Sequence, residues 1–124
     1  MKLIDSSGWI EYFRGTALGA AYREHVRSGD LLVPTVVTLE VYKILRRDES
    51  QEAADIATAQ LRKATVAELD ETLALYAAEL CLQHRLAMAD AIIYATAMQF
   101  GAELVTSDQH LGILPEVTYL AKTI

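Results

Sequence analysis

The chain has 124 residues, 11 of them Lys or Arg and 17 Asp or Glu, for a formal net charge of −6. A hydrophobic share of 52% with 23% charged residues excludes disordered and fibrous classes, and the length suits one domain over residues 1–124. Taken at face value, the acidic balance also argues against a nucleic-acid partner, because phosphate binding normally shows as an excess of Lys and Arg.

In chain order, Lys2 to Ile4 reads as a short apolar strand that runs into the turn Asp5-Ser6-Ser7-Gly8. A helix through Trp9, Ile10, Tyr12 and Phe13 follows, with Ser6 or Ser7 as its cap. A polar helix over Ala20 to Arg27 ends at Ser28-Gly29, where glycine permits a left-handed cap. Leu31-Leu32-Val33 is a second buried strand stopped by Pro34. Thr35 then caps a helix to about Arg47, and a more exposed helix covers Gln51 to Arg62.

Thr65-Val66 forms a short third strand. Asp70 to Gln83 is helical, with Leu73, Tyr76, Ala77 and Leu80 on one apolar face. Ala89 to Phe100 is a helix closed by Gly101, Leu104-Val105 a strand, and Val117 to Leu120 the last strand. Short apolar strands alternating with helices imply one α/β domain, a parallel sheet with helices on each side.

Several function classes drop out. The single Cys81 allows neither an internal disulfide nor a cysteine zinc site. A charge arrives at Asp5 after only two apolar residues, so no signal peptide is expected. The least polar stretches, Leu31 to Leu39 and Ala91 to Met98, are too short to span a bilayer, which makes a cytoplasmic protein the default.

Four acids stand where surface acids do not. Asp5 follows the first strand directly, Glu40 sits among Val36, Val37, Leu39, Val41, Tyr42 and Ile44, Asp90 opens an almost wholly apolar helix, and Asp108 lies just past Leu104-Val105. Each has a plainer use: Asp5 and Asp108 as helix caps, Glu40 as partner of Lys43 on its own helix. Asp90 is the hardest to explain away. It gains about 0.3–1 kcal/mol from the helix dipole, against several kcal/mol for a buried unpaired carboxylate. In open parallel sheets ligands bind beyond the carboxyl ends of the strands, where Asp5 and Asp108 fall and towards which Glu40 and Asp90 lead. Four converging carboxylates need cations, and hard oxygen donors without His or Cys select Mg²⁺ or Mn²⁺. His25, His84 and His110 lack ligand spacing and read mainly as surface residues, with His110 alone near the site.

Leu3-Ile4-Asp5-Ser6-Ser7, Thr38-Leu39-Glu40-Val41, Ala89-Asp90-Ala91-Ile92-Ile93-Tyr94-Ala95-Thr96-Ala97 and Leu104-Val105-Thr106-Ser107-Asp108-Gln109-His110-Leu111 together resemble the PIN domain. More narrowly they resemble a VapC-type toxin ribonuclease of a toxin–antitoxin pair, and the likeness runs from end to end. The resemblance implies a three-layer α/β/α fold with a parallel sheet of about five short strands, cutting RNA with a divalent metal. It implies Asp5, Glu40, Asp90 and Asp108 as the catalytic, metal-holding quartet, with Ser6 and Thr106 as auxiliary hydroxyls. Asp5, Asp90 and Asp108 would hold metal directly, while Glu40 would ligate a second metal or orient the attacking water. Sequence leaves one metal or two open. The family further implies 5′-phosphate and 3′-hydroxyl products, a cognate VapB-like antitoxin and a homodimer.

Arg14, Lys43, Arg46 and Arg47 are candidates for RNA or antitoxin contact, against a solvated helix end as the plainer reading. Trp9, Tyr12 and Phe13 are candidates for an antitoxin groove, with core packing as their alternative. A receiver-like signalling module would need paired acids after the first strand and a lysine near the last. A haloacid-dehalogenase-type phosphatase would need Asp where Ser7 stands. A non-catalytic binding protein would not need the whole quartet.

The charge then looks different. Without the four site acids, 13 acidic residues face 11 basic ones, and through Arg47 there are 7 basic residues against 3 remaining acids. The total of −6 therefore does not exclude RNA, and the first 47 residues form the expected phosphate-facing or antitoxin-facing surface.

Overall fold

The computed structural model describes residues 1–122, so the domain span expected from the sequence runs two residues beyond the described ones. Three parallel strands, β1 (Lys2–Ile4), β4 (Glu103–Thr106) and β5 (Val117–Tyr119), pair with Leu3 opposite Leu104 and Leu104 opposite Val117. Two more, β2 (Leu32–Pro34) and β3 (Thr65–Ala67), pair in parallel with Val33 opposite Val66. A parallel bridge between Lys2 and Leu31, with the Lys2 N–H donating to the Asp30 carbonyl at 2.9 Å, sets β2 beside β1. The strand order is thus 3-2-1-4-5. With strands of three or four residues, regular pairing lapses at the β1–β2 seam into that one bridge, which divides the expected five-stranded sheet into parts of three and two.

Chain direction across the sheet reverses between β3 and β4. Right-handed crossovers then require helices on both faces, and they place a switch point between β1 and β4. The helices are α1 (Ser6–Arg14), α2 (Ala17–Arg27), α3 (Thr35–Asp48), α4 (Gln51–Leu61), α5 (Glu71–His84), α6 (Met88–Phe100) and α7 (Gln109–Gly112).

Three local expectations need correction. Of the caps expected for α1, it is Asp5 and not Ser6 or Ser7 that serves, because its side chain reaches the Ser6 N–H. Thr35 is the first residue of α3; Pro34 precedes it with no side-chain cap, since its locked φ presets the entry into the helix. On α5, Leu73, Ala77 and Leu80 are buried, whereas Tyr76 faces outward at 38% exposure.

α6 is buried on nearly every side through Ala91, Ile93, Tyr94, Ala95, Thr96 and Ala97, as its apolar sequence requires. Thr96 survives there because its hydroxyl donates to the Ile92 carbonyl at 2.6 Å. α1 and α2 meet closely: a Cβ on Gly19 would fall 2.1 Å from the Glu11 carbonyl oxygen, and one on Gly8 would fall 2.4 Å from the Tyr22 ring. Both glycines are there for space. Among the described residues no helix is long and apolar enough to cross a membrane.

Candidate active site

Asp5 stands at the switch point. Its N–H continues the β1–β4 ladder to the Val105 carbonyl at 3.0 Å, so the backbone delivers the side chain at the carboxyl end of β1. Oδ1 accepts from the Ser6 N–H at 2.7 Å and Oδ2 from the Thr106 hydroxyl at 2.7 Å. The carboxyl is 6% exposed, and burial pushes its pKa up. The two hydrogen bonds oppose that rise, while the charges of Glu40 and Asp108 add to it.

Thr106, at the end of β4, uses one hydroxyl twice. It donates to Asp5 and accepts the Asp108 N–H at 3.0 Å. Asp108 is thereby held in the turn after β4, where its Oδ1 caps α7 by accepting from the His110 and Leu111 N–H groups at 2.7 and 3.3 Å. Glu40 comes from the second turn of α3, and its Oε1 accepts from the Ser6 hydroxyl at 2.6 Å. Ser6 and Thr106 therefore each tie an acid of one element to another element.

Asp90, in the first turn of α6, is half-buried, and its pKa is pushed up to about 6. Desolvation is the main cause, followed by the charges of Asp5, Asp108 and Glu40, with His110 acting the other way. Asp5 and Asp90 thus feel the charges of the other acids, and among the described residues none of the four forms an ion pair.

Such a donor set suits a hard divalent cation: oxygen ligands only, with negative charge that no Lys or Arg compensates. Among the described residues no group of three or more His, Cys, Asp or Glu side chains is placed so that it could hold a metal ion. The fit therefore rests on donor chemistry and uncompensated charge. Asp5, Asp90 and Asp108, with Glu40 beside them, are the residues that would hold the ion.

Sequence reasoning missed one support beneath the site. The Tyr22 hydroxyl lies 2.6 Å from the Ser107 hydroxyl in a buried contact between α2 and the turn after β4. Burial, the main cause, raises the Tyr22 pKa to about 12, so the group stays a neutral hydrogen-bonding hydroxyl. A lone large aromatic amid Ala17-Leu18-Gly19-Ala20-Ala21 was the available signal.

The basic candidates have partners. Arg14 reaches Glu49 at 3.1 Å and Asp48 at 3.4 Å, tying the end of α1 to the end of α3. Arg47 pairs with Asp48 at 2.7 Å, and Arg46 donates to Gln51 at 2.7 Å. Lys43 is exposed on α3. Trp9 cannot line a groove: it is 1% exposed, stacked on Phe13 and edge-on to Tyr12, and among the described residues its indole N–H has no hydrogen-bond partner. His25 is buried rather than at the surface, its ring nitrogen 2.9 Å from the Lys2 amine, because α2 lays it over the amino end of β1. His84 packs edge-on against Tyr94.

A short-stranded parallel sheet with helices on both faces and a switch point defines the doubly wound α/β class, in which ligands bind beyond the carboxyl ends of the strands. This chain belongs to the PIN domain family, whose profile matches residues 2–116. No curated protein matches the chain by sequence.

Among solved structures, the fold is similar to a toxin–antitoxin complex from Klebsiella pneumoniae (TM-score 0.81, 20% identity, covering 95% of this chain and 96% of that one). It is similar to Mycobacterium tuberculosis VapC20, a sarcin–ricin loop cleaving toxin (TM-score 0.72, 20% identity, 83% and 85% covered). It is also similar to VapBC2 from Rickettsia felis, solved with a DNA fragment from its promoter (TM-score 0.73, 12% identity, 97% of each chain covered). At these identities the likeness is one of fold.

Proposed function

We propose that this chain is a single-domain, divalent-metal-dependent endoribonuclease, the VapC-like toxin of a type II toxin–antitoxin pair, held inactive by a cognate VapB-like antitoxin. The observation that carries this reading is the quartet: on a PIN fold, the charges of Glu40 and Asp108 reach both Asp5 and Asp90, and among the described residues none of the four acids has an ion-pair partner. The structural neighbours support it, two of them being toxin–antitoxin assemblies and one an RNA-cleaving toxin.

In this reading Asp5, Asp90 and Asp108 hold Mg²⁺ or Mn²⁺. The bound ion would offset their charge, make water a stronger nucleophile and stabilise negative charge on the phosphate. Thr106 and the Ser6 N–H fix both oxygens of Asp5, leaving its remaining lone pairs for the ion. Ser6 holds Glu40, whose second oxygen can orient water or take part in a second metal site. Attack of a water oxygen on phosphorus, with departure of the 3′ oxygen, leaves 5′-phosphate and 3′-hydroxyl ends. Lys43 is the best placed of the expected basic contacts, being exposed three residues after Glu40. The functional unit we propose is a cytoplasmic homodimer.

Purified protein incubated with end-labelled RNA should cut it with Mg²⁺ or Mn²⁺ and stop in EDTA. Asp90→Asn should abolish cleavage while its melting remains cooperative. Undiminished cleavage by that variant would overturn the site.

A further inference from the structure

The charge around the acidic crevice is unevenly balanced. Arg14 and Arg47 are paired with acids, and Arg46 bonds Gln51, so their charges are turned towards their own helix ends. On the flank beyond Asp108, His110 of α7 and Lys122 after β5 line one hollow. An RNA backbone approaching four carboxylates needs positive charge on some flank, and besides Lys43 on α3 the chain after β5 offers Lys122.

That flank is concave. A cavity of about 400 Å³ is lined by Asp108, Gln109, His110, Tyr119, Ala121 and Lys122. Its volume lies within the range of small-ligand sites. One wall is Asp108 itself, so an occupant adjoins the acidic crevice. Tyr119 offers an aromatic surface at 39% exposure. Its ring is seated against Gly112: a Cβ there would lie 2.6 Å from the ring, so α7 keeps the ring in place. The same ring, with Gln109, borders a second hollow of about 310 Å³ beside Gly112 and Ile113.

We propose that this cavity is a nucleotide subsite, the place where the RNA residue next to the scissile phosphate is held and read. The inference rests on the ribonuclease reading and assigns the base contact that reading lacks. The base stacks on Tyr119, a contact open to any base and worth about 1–3 kcal/mol where measured elsewhere. Gln109, with an amide that both donates and accepts, meets the base edge and supplies whatever preference exists. Lys122, beside the His110 ring, takes the flanking phosphate. A merely structural Tyr119 would require its ring only for packing, and nothing of Gln109 or Lys122.

The test uses the full chain carrying Asp90→Asn, so that RNA is bound and not cut. Fluorescein-labelled single-stranded 12-mers of adenylate and of uridylate are titrated in Mg²⁺ buffer and followed by anisotropy. Adding Tyr119→Ala should weaken binding at least about fivefold, with Tyr119→Phe within about twofold. Adding Lys122→Ala, a surface change that cannot unfold the chain, should lower the salt slope by about one unit. Adding Gln109→Ala should narrow the difference between the two oligonucleotides. If Tyr119→Ala and Lys122→Ala bind as the parent does, the subsite is overturned and the ribonuclease reading stands. If the parent binds neither RNA, the ribonuclease reading fails and takes the subsite with it.

Discussion

Thr106 Oγ1 lies 2.7 Å from Asp5 Oδ2, joining side chains 101 positions apart across the two central strands. The same oxygen accepts the Asp108 N–H at 3.0 Å, so a single hydroxyl sets the positions of two acids. Its replacement should therefore act on both.

In Thr106→Val the shape is nearly kept, but the Asp5 oxygen and the Asp108 N–H lose their partner. Denaturant unfolding should show a loss of about 1–3 kcal/mol, and cleavage should fall about 10- to 100-fold, as for other groups that orient metal ligands. The lost bond was lowering the Asp5 pKa, so the acid limb of the cleavage profile should move to higher pH. Thr106→Ser should recover most of both losses. A valine variant with unchanged activity and pH profile would remove Thr106 from the site.

Asp90 titrates near pH 6 in the fold against an ordinary 3.8. The folded state holds this proton more tightly than the unfolded one, so the group's contribution to stability is largest at low pH. It declines as pH rises from about 4 to 6, and above that the penalty is complete. Asp90→Asn should therefore melt higher than wild type in EDTA at about pH 7.5, with the gap closing below about pH 4. Solvent screening of the half-exposed carboxyl limits the gain to about 1 kcal/mol. Parallel melting curves at both pH values would contradict the crowding of charges described here.

Mn²⁺ should raise the melting temperature of wild type by mass action, by the equivalent of about 2.7 kcal/mol at a hundredfold excess over Kd. Asp5→Asn should respond less, having one charge fewer in the crevice. Equal shifts in scanning fluorimetry would count against Asp5 as a ligand.

Two glycines of the α1–α2 corner should respond differently to the same change. Gly19→Ala drives a methyl against the Glu11 carbonyl, with a cost of about 3 kcal/mol or more. Gly15→Ala meets nothing within 4 Å and suffers only its left-handed φ of 68°, about 1–2 kcal/mol. Chemical denaturation of the two variants side by side checks the order.

The order of elements was open to sequence reading because apolar periodicity and turn residues act locally. The all-round apolar run after Asp90 could only be a buried helix, and Ile4-Asp5 and Val105-Thr106-Ser107-Asp108 could only be strands meeting polar turns. The same local chemistry marked Glu40 and Asp90 as acids in apolar company. What no local rule contains is which strand lies beside which. The 3-2-1-4-5 order and the lone Lys2–Leu31 bridge come from packing helices on both faces of very short strands.

Pairing across the fold also decided how the charges are used. Arg14 was visible as a basic residue, yet only folding brings Asp48 and Glu49, more than 30 positions on, to it. His25 looked like a surface residue until α2 laid it over Lys2, and Tyr22 had no evident role until Ser107, far along the chain, came within 2.6 Å. Sequence by itself determined the residue types, and with them the hard-oxygen chemistry the crevice can support. Tertiary structure alone decided which acids' charges reach Asp5 and Asp90 and which hydroxyls hold Asp5 and Glu40. Those are through-space quantities that fall off within a few ångströms, and no spacing along the chain encodes them.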